Sequence, residues 1–350
     1  MNQLPSGVFN VSYKQDRRIF RTKVQLFWLG VLLVVILTGP LYMNDYLLSL
    51  ANLTGIAIIG AMGLNILTGF AGQISLGHGA FIGVGAYASA LLTTRLGFSF
   101  WLALPLAGLI AASVGLVFGI PSLRIKGLYL AIATLAAQVI IEFTIVHWRS
   151  LTNGTSGILV PSPKIGSFEF DSDRTFYYIT FTVVVLAVWY ARNLLRTRVG
   201  RAFIAIRDND IAAEILGVNL FKYKLMAFFV SSFYAGIAGS LWAHYITIIT
   251  PEHFTIVVSV NYLAMIIIGG LGSVLGAIYG AIFITLLPEL LRVLASALSG
   301  AYPNIGDILG ASREIVFGLT VILFLIYEPD GLYHRWQMIR AYWKLWPFSY

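Results

Sequence analysis

Cysteine is absent from the 350-residue sequence, which excludes disulfides, thiolate metal sites and cysteine nucleophiles. Charged residues are also scarce, because Asp, Glu, Lys and Arg together make up 11% of the chain, whereas a soluble domain has about 25%. Hydrophobic residues make up 58%, and the mean hydropathy is +0.83. Water is therefore not the main solvent of this chain, and we predict one integral membrane bundle instead of two soluble domains.

Phosphate-loop chemistry is missing as well. No Gly-Lys-[Ser/Thr] ending occurs anywhere in the sequence, and a phosphate loop needs that Lys and hydroxyl to hold phosphate and metal. Glu and His do not gather in a pattern suited to acid–base or nucleophilic catalysis. We therefore predict that the chain is not an enzyme, has no catalytic or metal-binding residues and binds no cofactor. Any nucleotide hydrolysis then takes place on another polypeptide.

What the sequence does contain is a series of apolar runs close to the roughly 20 residues that a helix needs to cross a bilayer. We predict an all-α polytopic membrane protein of about ten transmembrane helices, some of them broken or short. The predicted spans are Val24–Tyr42, Leu47–Thr68, Ile74–Leu92, Phe100–Ile120, Leu128–His147, Phe176–Tyr190, Leu225–Ile248, Val257–Ile268, Val274–Leu291 and Glu314–Tyr327. The predicted segments are a cytoplasmic N-terminal segment (1–23), the transmembrane domain (24–328) and a cytoplasmic tail (329–350).

Lys and Arg are distributed unevenly among the predicted loops. With the N-terminus inside, most of the 23 basic residues fall on the cytoplasmic side, so the positive-inside rule places both termini in the cytoplasm. The net charge of +8 then reflects topology and anionic lipid, not nucleic acid. The outer loop 148–175 is polar and suited to a soluble partner, and residues 191–224 form the longest inner loop. Aromatic residues of the tail suggest an interfacial anchor: Trp336, Tyr342, Trp343, Trp346 and Phe348.

Two glycine-rich breaks interrupt the apolar pattern. Gly69–Phe81 reads Gly-Phe-Ala-Gly-Gln-Ile-Ser-Leu-Gly-His-Gly-Ala-Phe, and Gly269–Ser273 reads Gly-Gly-Leu-Gly-Ser. Both precede a span that runs outward. Interrupted backbone at membrane depth survives only beside protein or a water-filled cavity, and such broken helices often form substrate sites. A tight turn with close helix packing through small residues explains the first break equally well.

The inner loop has a helical pattern between Arg201 and Asn219. Four apolar residues recur at helical spacing: Phe203, Ile206, Ile211 and Ile215. We predict two short helices, with Asp208 or Asn209 capping the second and Gly217 ending it. Such a helix can lie with its apolar ridge in the groove of a partner, while a surface helix on lipid headgroups is the alternative that periodicity alone favours.

Both stretches closely resemble the LivM-type permeases of branched-chain amino acid ABC transporters. Gly69–Phe81 is similar to the signature G-[FY]-A-G-Q-[IL]-S-L-G-H-x-A-F, and Ala205–Val218 is similar to A-I-R-[DE]-x-[DE]-x-A-A-E-x-[LM]-G-[IV]. The resemblance runs from about residue 50 to the C-terminus and includes Gly269–Gly272 and Glu328–Leu332. The N-terminal 23 residues carry no part of it.

The resemblance implies a permease subunit of a bacterial inner-membrane importer for branched-chain or neutral amino acids. It implies a heterodimer with a homologous LivH-type permease, two cytoplasmic ATPase subunits that bind ATP and Mg, and an extracytoplasmic substrate-binding protein, with which the loop 148–175 could interact. The residues expected to couple to the ATPase are Arg207, Asp208, Asp210, Ala213, Glu214 and Gly217. The residues expected on or beside the substrate pathway are Gly72, Gln73, Ser75, Gly77, His78, Gly269 and Gly270.

Two alternative functions stay open. The sister system for urea and short amides shares the fold, although the intact Ala212-Ala213-Glu214 favours the amino acid branch by analogy. An ion-coupled secondary transporter would keep charged relays deep in the membrane, and this sequence offers almost none. Glu142 is the most buried-looking acid, near the outer end of its span where it could reach the interface. Glu289 and Arg292 are predicted to form an interfacial pair.

Overall fold

The computed structural model describes residues 23–122, 125, 127–298, 313–328 and 330–345. Among these residues, seven helices are long and apolar enough to cross a membrane by length and composition. Two further apolar helices are shorter, Leu26–Tyr42 and Gly318–Tyr327. The predicted helical, multi-pass architecture is confirmed.

The elements follow one another with short connections. The helices are α1 Lys23–Tyr42, α2 Asp45–Leu64, α3 His78–Thr94, α4 Phe100–Ser122, α5 Leu128–His147, α6 Arg149–Thr152, α7 Asp173–Arg196, α8 Arg198–Asp208, α9 Asp210–Ile215, α10 Leu220–Ile246, α11 Ile256–Gly269, α12 Val274–Leu298, α13 Arg313–Tyr327 and α14 Gly331–Leu345. A π-helix, Asn65–Phe70, continues α2, and 3₁₀ turns cover Gly154–Ser156 and Pro251–Phe254. The strands are β1 Ile158–Leu159, β2 Lys164–Ile165, β3 Phe168–Glu169 and β4 Ile248–Ile249.

The helices end at two opposite ends of the bundle. At the end formed by residues 148–172, called the loop end below, Asn52 Nδ2 on α2 donates to Asp173 O at the start of α7 (2.9 Å). At the opposite end, called the basic end because α8 and the Lys- and Arg-rich neighbouring segments lie there, Arg207 Nη1 donates to Gly69 O (3.0 Å). α2 with its π-helical extension therefore runs the length of the bundle.

α2 and α10 form the centre of the bundle. In the most apolar window of each, 72% of the residues are buried, against 28–44% in the other long apolar helices. α10 packs closely against α4, since a side chain on Gly236 would lie 2.6 Å from Ala111 Cβ and 2.8 Å from Ala107 O, and against α3, since a side chain on Gly85 would lie 2.5 Å from Gly236 O. In a bilayer the hydrophobic effect does not drive helices together, and small residues at such crossings let the helices approach closely enough for van der Waals packing.

The loop end carries the irregular segments. β1 pairs antiparallel with β4, placing Ile158 opposite Ile249, and β2 and β3 form a small hairpin around Gly166 (φ 60°). α7 begins at Asp173, where the N-cap Ser172 Oγ accepts a hydrogen bond from Thr175 N (3.3 Å). The predicted outer loop therefore consists mostly of short structured turns that pack on the helix ends.

Three predicted boundaries are corrected. The third span begins at His78 and not at Ile74, because residues 71–77 are not helical. α7 extends to Arg196 and α10 begins at Leu220, so α8 and α9 occupy most of the predicted inner loop. In the tail, α14 exposes Trp336, Tyr342 and Trp343. Residues 1–22, Trp346 and Phe348 lie outside the described residues.

Candidate functional site

The first break returns the chain into the bundle. After the π-helix Asn65–Phe70 the backbone is irregular until α3 begins at His78, whose Nε2 lies 2.8 Å from Gly60 O. Gly60 lies about 15 Å along the helix from Phe70 at 1.5 Å per residue. Residues 71–77 therefore run antiparallel to the end of α2, back toward Gly60, and α3 starts deep inside the protein. π-helical turns within α-helices are frequent at functional sites.

Side chains from other helices satisfy the backbone amides at the start of α3. The bonds are Leu76 N to Thr134 Oγ1 (2.9 Å), Gly79 N to Ser259 Oγ (2.8 Å) and Ala80 N to Gln138 Oε1 (2.7 Å). Gln138 also receives a bond from Ser259 Oγ (3.0 Å) and donates to Phe254 O (2.7 Å). The first turn of any helix leaves such amides free, and inside a membrane each must find a partner. For these three amides the partners are protein side chains.

Ser75, Gly77 and His78 lie within this packed region. Ser75 is fully buried and His78 is 1% exposed, and the His78 ring packs edge-to-face against Tyr262 at 5.5 Å between ring centres. A side chain on Gly77 would lie 2.5 Å from Thr134 O. All three residues are therefore packed against protein, and their contact with substrate stays a prediction.

Asn65 joins the two breaks. Its side chain is fully buried, its Nδ2 donates to Ser273 O (2.8 Å), and its Oδ1 accepts from Gly272 N (3.0 Å). Both backbone groups belong to the turn between α11 and α12, where Gly270 and Gly272 have φ of 113° and 73°. Side chains other than glycine rarely adopt these angles. One amide thus holds the π-helix and the second break in a fixed relation.

The other side of the second break is covered by the C-terminal segment. A side chain on Gly270 would lie 3.1 Å from Asp330 O and 3.4 Å from Tyr333 Cβ, so the start of α14 packs directly on this turn. Beside it, the Arg335 guanidinium bonds Glu328 and holds the pKa of that carboxyl below its usual value. Gly269 and Gly270 are both buried by protein.

Arg207 at the end of α8 contacts both breaks. Its Nη1 donates to Gly69 O (3.0 Å), and its Nε and Nη2 bond Asp208 Oδ1 (3.0 and 2.9 Å). A side chain on Gly72 would lie 3.0 Å from Arg207 Cγ, and one on Gly272 would lie 2.7 Å from Arg207 Nη1. Glycine at both positions leaves room for the arginine. Among the predicted coupling residues, Arg207 therefore faces the bundle.

The predicted pair of short helices is confirmed, and the four apolar residues of the predicted pattern divide between two surfaces. Phe203 and Ile206 are 0% and 5% exposed, whereas Ile211 and Ile215 are 64% and 81% exposed. The reason is Asn209, whose extended backbone (φ −160°, ψ 105°) separates the two helices and turns their faces apart.

The predicted ends of α9 are confirmed. Asn209 Oδ1 caps it by accepting from Ala212 N (3.0 Å), while Asp208 pairs with Arg207 instead. Gly217 (φ 86°) ends it, with Val218 N bonding Ala213 O (2.9 Å) in the Schellman arrangement. Ala213 is buried and Glu214 is exposed.

A polar cavity of about 350 Å³ lies between the first break, α8–α9 and the start of α10. Its polar lining residues include Gln73, Arg207, Asp208, Asp210 and Lys224, and Gly72 lies beside them. Lys224 is buried, with Nζ 3.6 Å from Asp210 Oδ2. The cavity thus brings two predicted pathway residues, Gly72 and Gln73, together with three predicted coupling residues; the other predicted pathway residues do not line it.

Three ionisable residues that the sequence singled out lie outside the cavity. Glu289 and Arg292 form the predicted pair (2.6 Å), and the guanidinium also lies 4.9 Å above the Tyr46 ring. Glu142 is half-buried on α5. Within the described part of the chain, no three His, Cys, Asp or Glu side chains come close enough together to hold a metal ion.

Comparison with known proteins identifies the family. A family model described as "Branched-chain amino acid transport system / permease component" matches residues 46–325, a range that contains both breaks, α8, α9 and the cavity. The chain belongs to this permease family. The permease resembles the "High-affinity branched-chain amino acid transport system permease protein LivM" of Salmonella typhimurium, at 34% identity over 335 residues, covering 89% of this chain and 75% of that protein. LivM of Escherichia coli K12 gives the same values.

The permease is also similar to the LivH proteins. It is 24% identical to LivH of Escherichia coli K12 over 295 residues, covering 79% of this chain and 90% of that protein. No solved structure matches.

The sequence analysis does not identify three residues of the site: Asn65, Gln138 and Ser259. The sequence feature that could have indicated each of them is a single polar residue within an apolar helix.

Proposed function

We propose that this permease is the LivM-type membrane subunit of an ATP-driven importer for branched-chain and other neutral amino acids. The similarity to LivM proteins across 89% of the chain carries the proposal. The scarcity of charged groups within the helices agrees with a pathway for net-neutral substrates, because an ion-coupled carrier would place ionisable relays there.

The proposed topology has ten spans, with the basic end and both termini in the cytoplasm of a bacterium. The positions of the helix ends support this topology. Arg95 Nη1, at the end of α3, donates to Ser150 O (2.7 Å), and His244 Nδ1, near the end of α10, donates to Pro161 O (2.8 Å). Both contacts lie at the loop end. The Lys and Arg residues between α7 and α10 lie at the opposite end, as the positive-inside rule requires of a cytoplasmic face.

The proposed docking site for the ATPase is the exposed apolar edge of α9. Ile211, Ile215 and Leu216 are 64%, 81% and 83% exposed at the end of the bundle that faces the cytoplasm in this topology. Apolar helix faces of this kind fit hydrophobic grooves of partner proteins. The ATPase subunits would bind ATP and Mg, since this chain has no phosphate loop.

Two further partners complete the proposed importer. A LivH-type permease would form the other half of the membrane domain, and the similarity of the chain to LivH proteins supports two halves of related fold. A substrate-binding protein would dock at the loop end, where the β2–β3 hairpin exposes Ile165 and Phe168, each 55% exposed.

Reconstitution with the partner subunits tests this function. We expect the binding protein to prefer Leu and Val over urea, and we expect the leucine-loaded form to stimulate ATP hydrolysis and uptake by the assembled importer. A preference for urea would instead favour the short-amide system. Uptake driven by an ion gradient without ATP would favour a secondary transporter, and robust ATP hydrolysis by this chain alone would contradict a permease role.

A further inference from the structure

Gln73 has an unsatisfied group beside the polar cavity at the basic end. The residue is 3% exposed; its Nε2 donates a long bond to Lys224 O (3.4 Å), and its buried Oε1 has no hydrogen-bond partner. This amide orientation is the favourable one, because an oxygen in the Nε2 position would face the carbonyl of Lys224. A buried acceptor without a partner is unfavourable. A ligand that donates a hydrogen bond there would remove this cost.

The charges around the cavity cancel among the described lining residues. Arg207 and Lys224 oppose Asp208 and Asp210. Arg207 already donates to Gly69 O and to Asp208. Lys224 Nζ lies 3.6 Å from Asp210 Oδ2, beyond the usual hydrogen-bond range of about 2.7–3.2 Å. Lys224 forms an ion pair with Asp210, and because its ammonium has three donors it can also donate to a ligand carboxylate. The balanced surroundings favour a ligand that carries both charges.

The remaining wall of the cavity is apolar. Ala71, Leu130 and Ile206 line it together with the polar groups. A volume of about 350 Å³ falls at the lower end of the roughly 300–1,000 Å³ found for small-molecule sites. These features together suit a small molecule with an ammonium group, a carboxylate and an aliphatic side chain.

We propose that this cavity binds a free aliphatic amino acid from the cytoplasm and that its occupancy slows the transport cycle. The ligand ammonium donates to Gln73 Oε1, the carboxylate accepts from Lys224 Nζ, and the side chain lies against Leu130 and Ile206. The inference rests on the proposed function and adds feedback by the accumulated product.

The position of the cavity explains the inhibition. Gln73 belongs to the first break, Ile206 to α8 and Lys224 to α10, so a bound ligand connects three elements that meet at the proposed ATPase-facing end. A ligand that binds one arrangement of these elements better than another shifts the population toward it. The cycle then slows without competition for the binding protein at the opposite face.

The test uses the complete importer in lipid nanodiscs, where both faces are accessible, with its binding protein saturated with leucine. Free leucine is then raised further while ATP hydrolysis is measured. We expect hydrolysis to fall with leucine and not with equal additions of glutamate or lysine, whose side chains carry a net charge. An unchanged rate, or an equal fall with the charged amino acids, overturns the inference.

Variants locate the inhibition. Lys224→Met and Gln73→Leu each remove one polar contact, and we expect the leucine concentration for half-inhibition to rise by about tenfold. Gln73→Leu also removes the unpaired acceptor, so it provides a folded variant if Lys224→Met does not assemble. Lys222→Met, at an exposed lysine on the same helix, should retain the inhibition of the native protein.

The outcomes separate this inference from the proposed function. Inhibition at an unchanged leucine concentration in both cavity variants contradicts the site. Stimulation of hydrolysis by the leucine-loaded binding protein, without inhibition at high leucine, contradicts the feedback alone. The absence of stimulation in the native importer contradicts the proposed function itself.

Discussion

Asn65 shows how one side chain can fix the geometry of a site whose parts are far apart in sequence. Its amide donates to Ser273 O and accepts from Gly272 N, 208 and 207 positions away. Aspartate lacks the donor and leucine lacks both groups, so the side-chain amide suits this position. With Asn65 in place, the two breaks keep a constant separation while Arg207 contacts both.

We expect Asn65→Ala to lower the stability of the purified permease by about 1–3 kcal/mol, because two partly buried backbone groups lose their partner. Thermal unfolding in detergent measures the effect. Asn44→Ala is the matched control, since Asn44 is exposed and makes no side-chain cap bond. An unfolding temperature equal to that of the native protein would show that Asn65 does not hold the breaks together.

The sequence predicted some site residues and missed others for a physical reason. Glycine at 72 and 272 could be noticed because a run of glycines in an apolar chain is unusual. Asn65, Gln138 and Ser259 are single polar residues within helices, and their partners depend on how the helices cross. Periodicity along one helix contains no information about that crossing.

At the scale of elements, the turn at Asn209 separates two surfaces that a continuous helix would have merged. Phe203 and Ile206 on α8 pack into the bundle, while Ile215 and Leu216 at the end of α9 face outward. The apolar residues keep helical spacing on each side of the turn. The relation between the two helices depends on one extended residue, which the spacing does not reveal.

We expect Leu216→Asp to abolish co-purification of the ATPase subunits, because a charge replaces an apolar group on the proposed docking edge. Uptake should fall in parallel. Ile165→Asp, on the exposed hairpin at the loop end, should retain the ATPase subunits. If Leu216→Asp still binds them at the native level, α9 is a surface helix and not a docking element.

The α11–α12 pair depends on close backbone contact. A side chain on Gly280 would overlap Met265 O, whereas one on Gly318 would meet nothing within 4 Å. We expect Gly280→Ala to destabilise the permease by about 1–3 kcal/mol, as overpacking does, and Gly318→Ala to leave it unchanged. Equal unfolding temperatures for the two variants would contradict the packing of this helix pair.

For the molecule as a whole, apolar run lengths predicted the spans well and left their arrangement open. The start of the third span was misplaced because Ile74 and Leu76 are apolar residues in a non-helical segment. Hydropathy measures transfer into lipid and cannot distinguish a helix from an irregular segment covered by protein.

The absence of cysteine gives a direct test of the proposed topology. Ser167→Cys at the loop end and Glu214→Cys at the basic end each place one thiol at an exposed position. We expect a membrane-impermeant maleimide to label Ser167→Cys in intact cells, and to label Glu214→Cys only after the membrane is opened. The reverse pattern would invert the orientation.

Arg207 lies next to the proposed docking helix α9 and contacts both breaks, and we propose that it couples ATP hydrolysis to transport. The most direct measurement is the number of ATP molecules hydrolysed per leucine imported by the reconstituted importer with Arg207→Ala, compared with Arg201→Ala at an exposed position on the same helix. We predict that Arg207→Ala keeps the ATPase subunits bound and raises this ratio several-fold, while Arg201→Ala leaves it at the native value. A ratio in Arg207→Ala equal to that of the native importer would contradict the claim.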